Sequence, residues 1–199
     1  MLFWVAHITA GWLFADLLSG MFHWIEDRYL DPNWPIIGEY VAKPNLVHHI
    51  KPTQFLEVGY WTRNWTTIVP SIIVTSIASW LHAPLWMLIG FACVSQANEI
   101  HAWAHRRVQS RIIRGLQEFG VLQSCRHHNV HHKTPFNVHY CAMTDYLNGP
   151  LERLGFWRGL EFVLACFGVK PRRDDDHEGL RPQATQYLPL SKMATSSKV

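Results

Sequence analysis

The 199-residue chain has no CxxC pair, no HExxH helix, no internal repeat, and no flavin- or nicotinamide-binding motif. Its four cysteines, Cys93, Cys125, Cys141 and Cys166, are far apart. That excludes a zinc ribbon, a dithiol redox motif and a disulfide scaffold. Without HExxH, a protease-type zinc site is not written here either. Charge is scarce, at 17% of residues, below the roughly 25% of a typical soluble chain. The 18 basic and 15 acidic residues leave a net charge of +3, too small to argue for a nucleic-acid partner. Met1 to Phe22 holds no Lys or Arg and no small-residue cleavage site, so a signal peptide is not expected. An aromatic share of 13% excludes disorder as the state of the chain as a whole.

Long apolar runs are present. Met1 to Phe22 is apolar and long enough to cross a bilayer, which takes about 20 residues. His7 and Asp16 lie within it, which requires either that they face other helices or that the segment is a buried soluble helix. Thr66 to Leu81 and Leu85 to Ala104 are apolar and separated by the turn His82-Ala83-Pro84. They read as a helical hairpin. Glu26 to Trp65, punctuated by Pro32, Pro35, Pro44 and Pro52, reads as a folded loop with one or two short helices. Phe156 to Val169 is apolar but too short to span, and reads as a helix lying in the membrane interface.

Three crossings would put residues 23–65 and everything after 105 on one inner side, where Lys and Arg belong. The segments left outside carry none. The expected fold is therefore all-α. It is an integral membrane bundle of about three spanning helices, with an interfacial helix and a cytosolic histidine-rich cap. Residues 1–170 form the membrane domain and 171–199 a polar, flexible tail. A soluble helical domain with long core helices is the alternative.

Histidine is the outlier, with 13 residues, and it is the commonest metal ligand among side chains. His7, His82 and His177 look ordinary. The others fall into five pieces: His23 followed by Asp27, the pair His48-His49, His101 and His105 in HAWAH, the box RHHNVHH with His127, His128, His131 and His132, and His139. Residues four apart share a helical face, so His101 and His105 can chelate one metal. At about 100° per residue, the four histidines of the box cover an arc of about 140°, a stripe that can touch two metals. Nine imidazoles exceed the three protein ligands of a catalytic zinc and suit two irons better. A pH-sensing cluster is the competing reading. Asp27, Asn98, Glu99, Asn129 and Asp145 are candidates to orient the rings from behind. Arg106, Arg107, Arg111 and Arg114 either hold a lipid phosphate or anchor the inner face against anionic lipid.

The stretches FHWIED, KPNLVHHIKPTQF, QANEIHAWAH, LQSCRHHNVHHKTPFNVHYC and DYLNGPLERLGFWRGLE together resemble the Kua-type membrane lipid desaturases, which include plasmanylethanolamine desaturase and related glycerolipid desaturases. The resemblance runs from about Phe22 to Lys170. It implies a histidine-ligated di-iron centre, O2 as co-substrate, a membrane phospholipid substrate and a one-electron donor. Carried over by position, it makes His23, His48, His49, His101, His105, His127, His128, His131 and His132 metal-site residues. His101, His105, His128, His131 and His132 are those nearest the chemistry. His139 is not carried over.

An unactivated CH2–CH2 unit has no acidic proton, so a cofactor must carry the hard step. With no flavin or nicotinamide motif, electrons would come from a separate carrier such as cytochrome b5 or ferredoxin. The implied product is a double bond near the glycerol head group, with conversion of plasmanylethanolamine to plasmenylethanolamine as the leading case. The alternatives are desaturation or hydroxylation of an ester-linked chain and, outside enzymes, a membrane b-type cytochrome. The endoplasmic reticulum in a eukaryote, or the inner membrane in a bacterium, is the expected location.

Overall fold

The computed structural model describes residues 1–133 and 136–172. Among these, every regular element is helical and no strand occurs. Helix α1 (Leu2–Arg28) continues past the end of the apolar run, because nothing in FHWIEDR breaks a helix; it stops ahead of Pro32 and Pro35. A π-helical turn (Gly38–Ala42) feeds α2 (Lys43–Ile50), whose Pro44 sits in the first turn, where no amide donor is needed. A short 3-10 stretch (Pro52–Leu56) precedes α3 (Tyr60–Trp80).

The next apolar stretch is two nine-residue helices, α4 (Leu85–Cys93) and α5 (Ala97–His105), joined by a 3-10 turn at Val94–Gln96. Four short helices follow: α6 (Arg111–Glu118), α7 (Cys125–His131), α8 (Asn148–Arg153) and α9 (Phe156–Cys166). Residues 26–65 thus hold more helix than a loop reading suggests, and α3 begins six residues before the apolar run does.

Helices α1 and α4 cross at van der Waals contact between backbones. A Cβ on Gly11 would meet Ile89 Cγ2 at 2.6 Å, and one on Gly90 would meet Phe14 Cδ1 at 2.5 Å. Small residues at a crossing allow this approach. His23 near the end of α1 and His101 in α5 lie at the same end, with ring centroids 5.5 Å apart, so α1 and α4–α5 run parallel. The start of α3 meets the 94–96 turn and α5, with Thr67 Oγ1 donating to the Ser95 carbonyl at 3.0 Å and Arg63 Nε to Glu99 Oε2 at 3.0 Å; α3 is therefore antiparallel to both. The core between them holds Ala15, Val94, Ala97, Ile100, Leu122 and Met143.

The irregular segment 136–147 runs back through this core and is held there by side chains. The Met143 and Thr144 amides donate to Asp16 Oδ1 at 2.9 Å, and Thr144 Oγ1 donates to Asp16 Oδ2 at 2.6 Å. Ser19 Oγ accepts from the Ala142 amide at 3.0 Å. Asn148 brackets the Cys141 peptide, accepting from its amide and donating to its carbonyl. A carboxylate in an apolar helix is costly unless such donors meet it, and Asp16 is fully buried.

Of the three segments read as spans, only α1 is by itself long and apolar enough to cross a membrane, and 22% of its most apolar window is buried. The polar start of α3, with Arg63 and Asn64 buried, shortens its apolar part, and the 3-10 turn divides the third segment. Large apolar side chains nonetheless face outward on α1 (Phe3, Trp4, Ile8), α3 (Ile72, Ile73, Ile77) and α9 (Phe162, Val163). At the C-terminal end, the Arg172 amide donates to the Arg28 carbonyl at 2.7 Å and its guanidinium reaches Asp31 Oδ2 at 2.7 Å. The remainder of the expected tail, 173–199 with His177, lies outside the described residues.

Candidate metal centre

The histidine-bearing helices converge at the end of the bundle where α1 and α5 finish. The adjacent rings of His48 and His49, about 100° apart around α2, separate into two groups. His48 joins His101, His105, His128 and His132, and the ligand atoms of these five lie within 4.8 Å of one another. His49 joins His23, His131 and Asp27 under the same limit. The box on α7 divides the same way. His128 and His132, one turn apart, face the first group, while His131, on the other side of the stripe, faces the second.

The groups adjoin. Ring centroids are 5.9 Å apart for His128 and His131, and 5.4 Å for His49 and His132.

In the five-imidazole group the Nε2 atoms point at each other. His101 Nε2 is 3.2 Å from His105 Nε2, which is 3.1 Å from His48 Nε2, and His132 Nε2 is 2.9 Å from His128 Nε2. Burial pushes the His48, His128 and His132 pKa values below the usual histidine range, and neighbouring imidazoles push them further. The rings are thus held in the neutral form, which is the form that ligates metals. The Nδ1 atoms of these three are buried without a hydrogen-bond partner.

The second group is built around a carboxylate. Asp27 Oδ1 lies 2.8 Å from His49 Nε2 and accepts from Asn45 Nδ2 at 2.6 Å. Asp27 Oδ2 lies 3.3 Å from His131 Nε2 and 3.7 Å from His23 Nε2. Those three atoms are buried and make no well-formed hydrogen bond. Their far ring nitrogens are anchored, His23 Nδ1 on the Tyr140 carbonyl at 3.0 Å and His131 Nδ1 on the Val138 carbonyl at 2.8 Å. Anchoring one nitrogen fixes the tautomer and aims the other. Both groups fit a cation: a ring of converging lone pairs in one, and unmatched nitrogens facing a carboxylate in the other.

Eight of the nine expected ligands are brought together, and His127 is not. It lies at the edge of the stripe on α7, where its Nε2 meets Asn148 Nδ2 at 3.1 Å and its ring packs on His139 at 4.5 Å. Burial lowers the pKa of both His127 and His139. Asp27, expected behind the rings, stands among the ligand atoms instead.

Asn98 and Glu99 turn away from the imidazoles toward α3. Glu99 Oε2 accepts from Arg63 Nη2 at 2.5 Å and from Arg63 Nε at 3.0 Å, and Asn98 Nδ2 donates to the Arg63 carbonyl at 2.8 Å. A buried guanidinium requires a counter-charge, and Arg63 claims this one. Asn129 is exposed beside Cys125, and Asp145 caps the start of α7 through the Ser124 amide at 2.9 Å. Arg106 reaches Glu99 at 3.4 Å, while Arg107, Arg111 and Arg114 are exposed.

Sequence reasoning gave four contributors no role at the site. Asp16, which pins the segment holding the Tyr140 carbonyl, was visible as a carboxylate inside an apolar run. Arg63 was visible as a cation heading another. The Val138 and Tyr140 carbonyls have no sequence signal.

Residues 12–174 match the lipid desaturase domain family. The chain is 32% identical over 177 residues to a probable fatty acid desaturase of Acanthamoeba polyphaga mimivirus, covering 83% of this chain and 84% of that one. It is 32% identical over 183 residues to mouse plasmanylethanolamine desaturase 1, covering 84% and 68%. It is also 32% identical over 172 residues to fatty acid desaturase 4-like 2, chloroplastic, of Arabidopsis thaliana, covering 82% and 61%. No solved structure matches the chain.

Proposed function

The chain belongs to the lipid desaturase domain family, and from that membership we propose that it is a membrane-embedded, O2-dependent di-iron desaturase of glycerolipids. The observation that carries this reading is the gathering of eight histidines and one carboxylate into two adjoining groups. Imidazole and carboxylate donors without thiolate suit iron.

When bound, the metal pair supplies reduction of O2 and removal of two hydrogen atoms from adjacent carbons. CH2–CH2, O2, two electrons and two protons become CH=CH and two waters. The chain's own residues do the rest. His23 and His131 are aimed by the Tyr140 and Val138 carbonyls, Asp27 adds the one formal negative charge of the centre, and burial keeps the His48, His128 and His132 rings unprotonated. Electrons come from a separate carrier such as cytochrome b5 or ferredoxin.

Three crossings, formed by α1, α3 and the α4–α5 pair, with α9 in the interface, fit the outward-facing apolar side chains and leave the histidines at the cytosolic boundary. That boundary belongs to the endoplasmic reticulum in a eukaryote or to the inner membrane in a bacterium. A metal centre at this depth reaches carbons next to the glycerol head group, which favours plasmanylethanolamine converted to plasmenylethanolamine. The second substrate reading is an ester-linked acyl chain, desaturated or hydroxylated; the plant relative's name at equal identity favours it.

A b-type haem needs a gap between facing imidazoles. Here Nε2 atoms sit about 3 Å apart, a spacing that counts against a macrocycle. The test is purified protein assayed for iron and absorbance, followed by lipidomics of a host given the gene. About two irons, no Soret band and new vinyl ethers are expected. A Soret band, or iron-free protein that leaves all lipids unchanged, overturns the reading. New unsaturated esters select the second substrate.

A further inference from the structure

Two peptide groups of the 136–147 segment each make two contacts that point in opposite directions. In the Val138–His139 peptide, the carbonyl accepts from His131 Nδ1 at 2.8 Å and the amide donates to Glu152 Oε1 at 3.0 Å. In the Tyr140–Cys141 peptide, the carbonyl accepts from His23 Nδ1 at 3.0 Å and the amide donates to Asn148 Oδ1 at 2.9 Å. A trans peptide is planar, with its C=O and N–H on opposite edges. Each of the two is therefore one rigid plate, with a ring of the Asp27 group on one edge and α8 on the other. A plate cannot turn away from α8 without turning away from its imidazole.

The local sequence explains the grip. Asn148 and Glu152 are four apart and share a face of α8. Leu147 and Leu151, one residue before each, pack against the cluster of Trp24, Tyr140, Cys141 and Trp157. The leucines seat the helix, and the polar pair meets the segment. Asn148 is fully buried, and its Nδ2 donates to the Cys141 carbonyl at 2.8 Å, which fixes its orientation. Between the plates His139 lies at φ 59°, a left-handed backbone that a residue with a Cβ keeps only where its surroundings hold it. Glu152 holds it through the His139 amide. The two grips differ in charge. A carboxylate accepting from one edge of a peptide polarises it and makes the carbonyl on the other edge a better acceptor. That carbonyl draws harder on the His131 Nδ1 proton and leaves Nε2 a stronger electron-pair donor to a cation. Asn148 does the same for His23 without a charge.

We propose that Asn148 and Glu152 are positioning residues of the Asp27 group: through one peptide plate each, they set the tautomer and the aim of His23 and His131. This rests on reading the two histidine groups as metal sites and is independent of the substrate. The five-imidazole group takes its rings from α2, α5 and the end of α7. Loss of the grip from α8 therefore falls on one group and spares the other.

The test uses the full-length, metal-free protein with isotope-labelled histidine and reads by long-range proton–nitrogen NMR which ring nitrogen carries the proton. His23 and His131 should each be held with the proton on Nδ1. Glu152→Met, of similar length but without an acceptor, should let His131 mix tautomers and leave His23 as it is. Asn148→Leu should do the opposite, and Glu152→Gln, which keeps an acceptor, should restore His131. Titration with cobalt(II), followed by its absorption, should show one site weakened at least tenfold in Glu152→Met and in Asn148→Leu, and about threefold in Glu152→Gln. The other site should keep its affinity in all three, which shows that they fold; should Asn148→Leu not fold, the Glu152 pair decides alone. Tautomers unmoved by Glu152→Met and Asn148→Leu, or both cobalt sites weakened equally, overturn the proposal. Tautomers that respond as described in a protein that takes up no cobalt keep the positioning role and sink the metal reading. Two cobalt sites that no variant moves, with unmoved tautomers, do the reverse.

Discussion

The two histidine groups differ in both charge and construction. The first is five imidazoles with no formal charge, two i,i+4 pairs on α5 and α7 with His48 added from α2. The second is three imidazoles and Asp27, two of its rings held from behind by carbonyls of the 136–147 segment. The first follows almost directly from helix periodicity. The second depends on that segment, which Asp16 and Ser19 hold against α1 and Asn148 holds at Cys141. A dication in the second group meets a full negative charge at low dielectric, whereas one in the first meets only dipoles. The second should therefore bind metal more tightly.

Four experiments can break or sharpen this contrast. His128→Ala removes a buried ligand from the uncharged group; desaturation should fall more than 100-fold and metal content to about half, read by elemental analysis. Asp27→Asn preserves shape but removes the charge of the second group. Activity should fall at least about 10-fold, since losing a charged donor among the ligand atoms costs no less than losing an outer supporting group, with metal affinity weakening at one site only. An Asp27→Asn protein that keeps both metals at full affinity would erase the asymmetry.

The third is pH. His48, His128 and His132 are held neutral in the folded protein, whereas the unfolded chain takes up protons as pH falls through about 6.5. The unfolded state then binds more protons, so metal-free stability is flat above that pH and declines below it. Each such group contributes up to about 1.4 kcal/mol per unit, and melting curves at pH 7.5 and 5.5 measure the sum. Last, His127→Gln should change activity less than threefold, because His127 serves Asn148 and His139 and neither group.

The helices and the histidine spacing were legible because both are local. The i, i+4 relation of His101 to His105 and of His128 to His132 needs only the rise and turn of a helix. The exclusion of His127 was not legible, since it stands on the edge of the same stripe and only the position of Asn148 decides which way its ring turns. Asn98 and Glu99 looked like partners for imidazole until α3 brought Arg63 beside them, a contact between residues 36 apart in sequence. The long helices were legible as apolar runs, but the 3-10 turn at 94–96 that divides the third run has no breaker in the sequence to announce it.

The meeting of Gly11 with Gly90 works as a fulcrum. His23 lies 12 residues beyond Gly11, a lever arm of about 18 Å at 1.5 Å per residue. Tilting α1 by about 3° at that point would sweep the His23 ring by about 1 Å, several times the roughly 0.2 Å tolerance of a metal–ligand bond. Replacing either glycine by alanine would favour each helix taken singly while prising apart the candidate metal groups about three turns away. Helix propensity taken alone would choose alanine there, yet the packed pair and the histidine geometry beyond it would both lose by the choice.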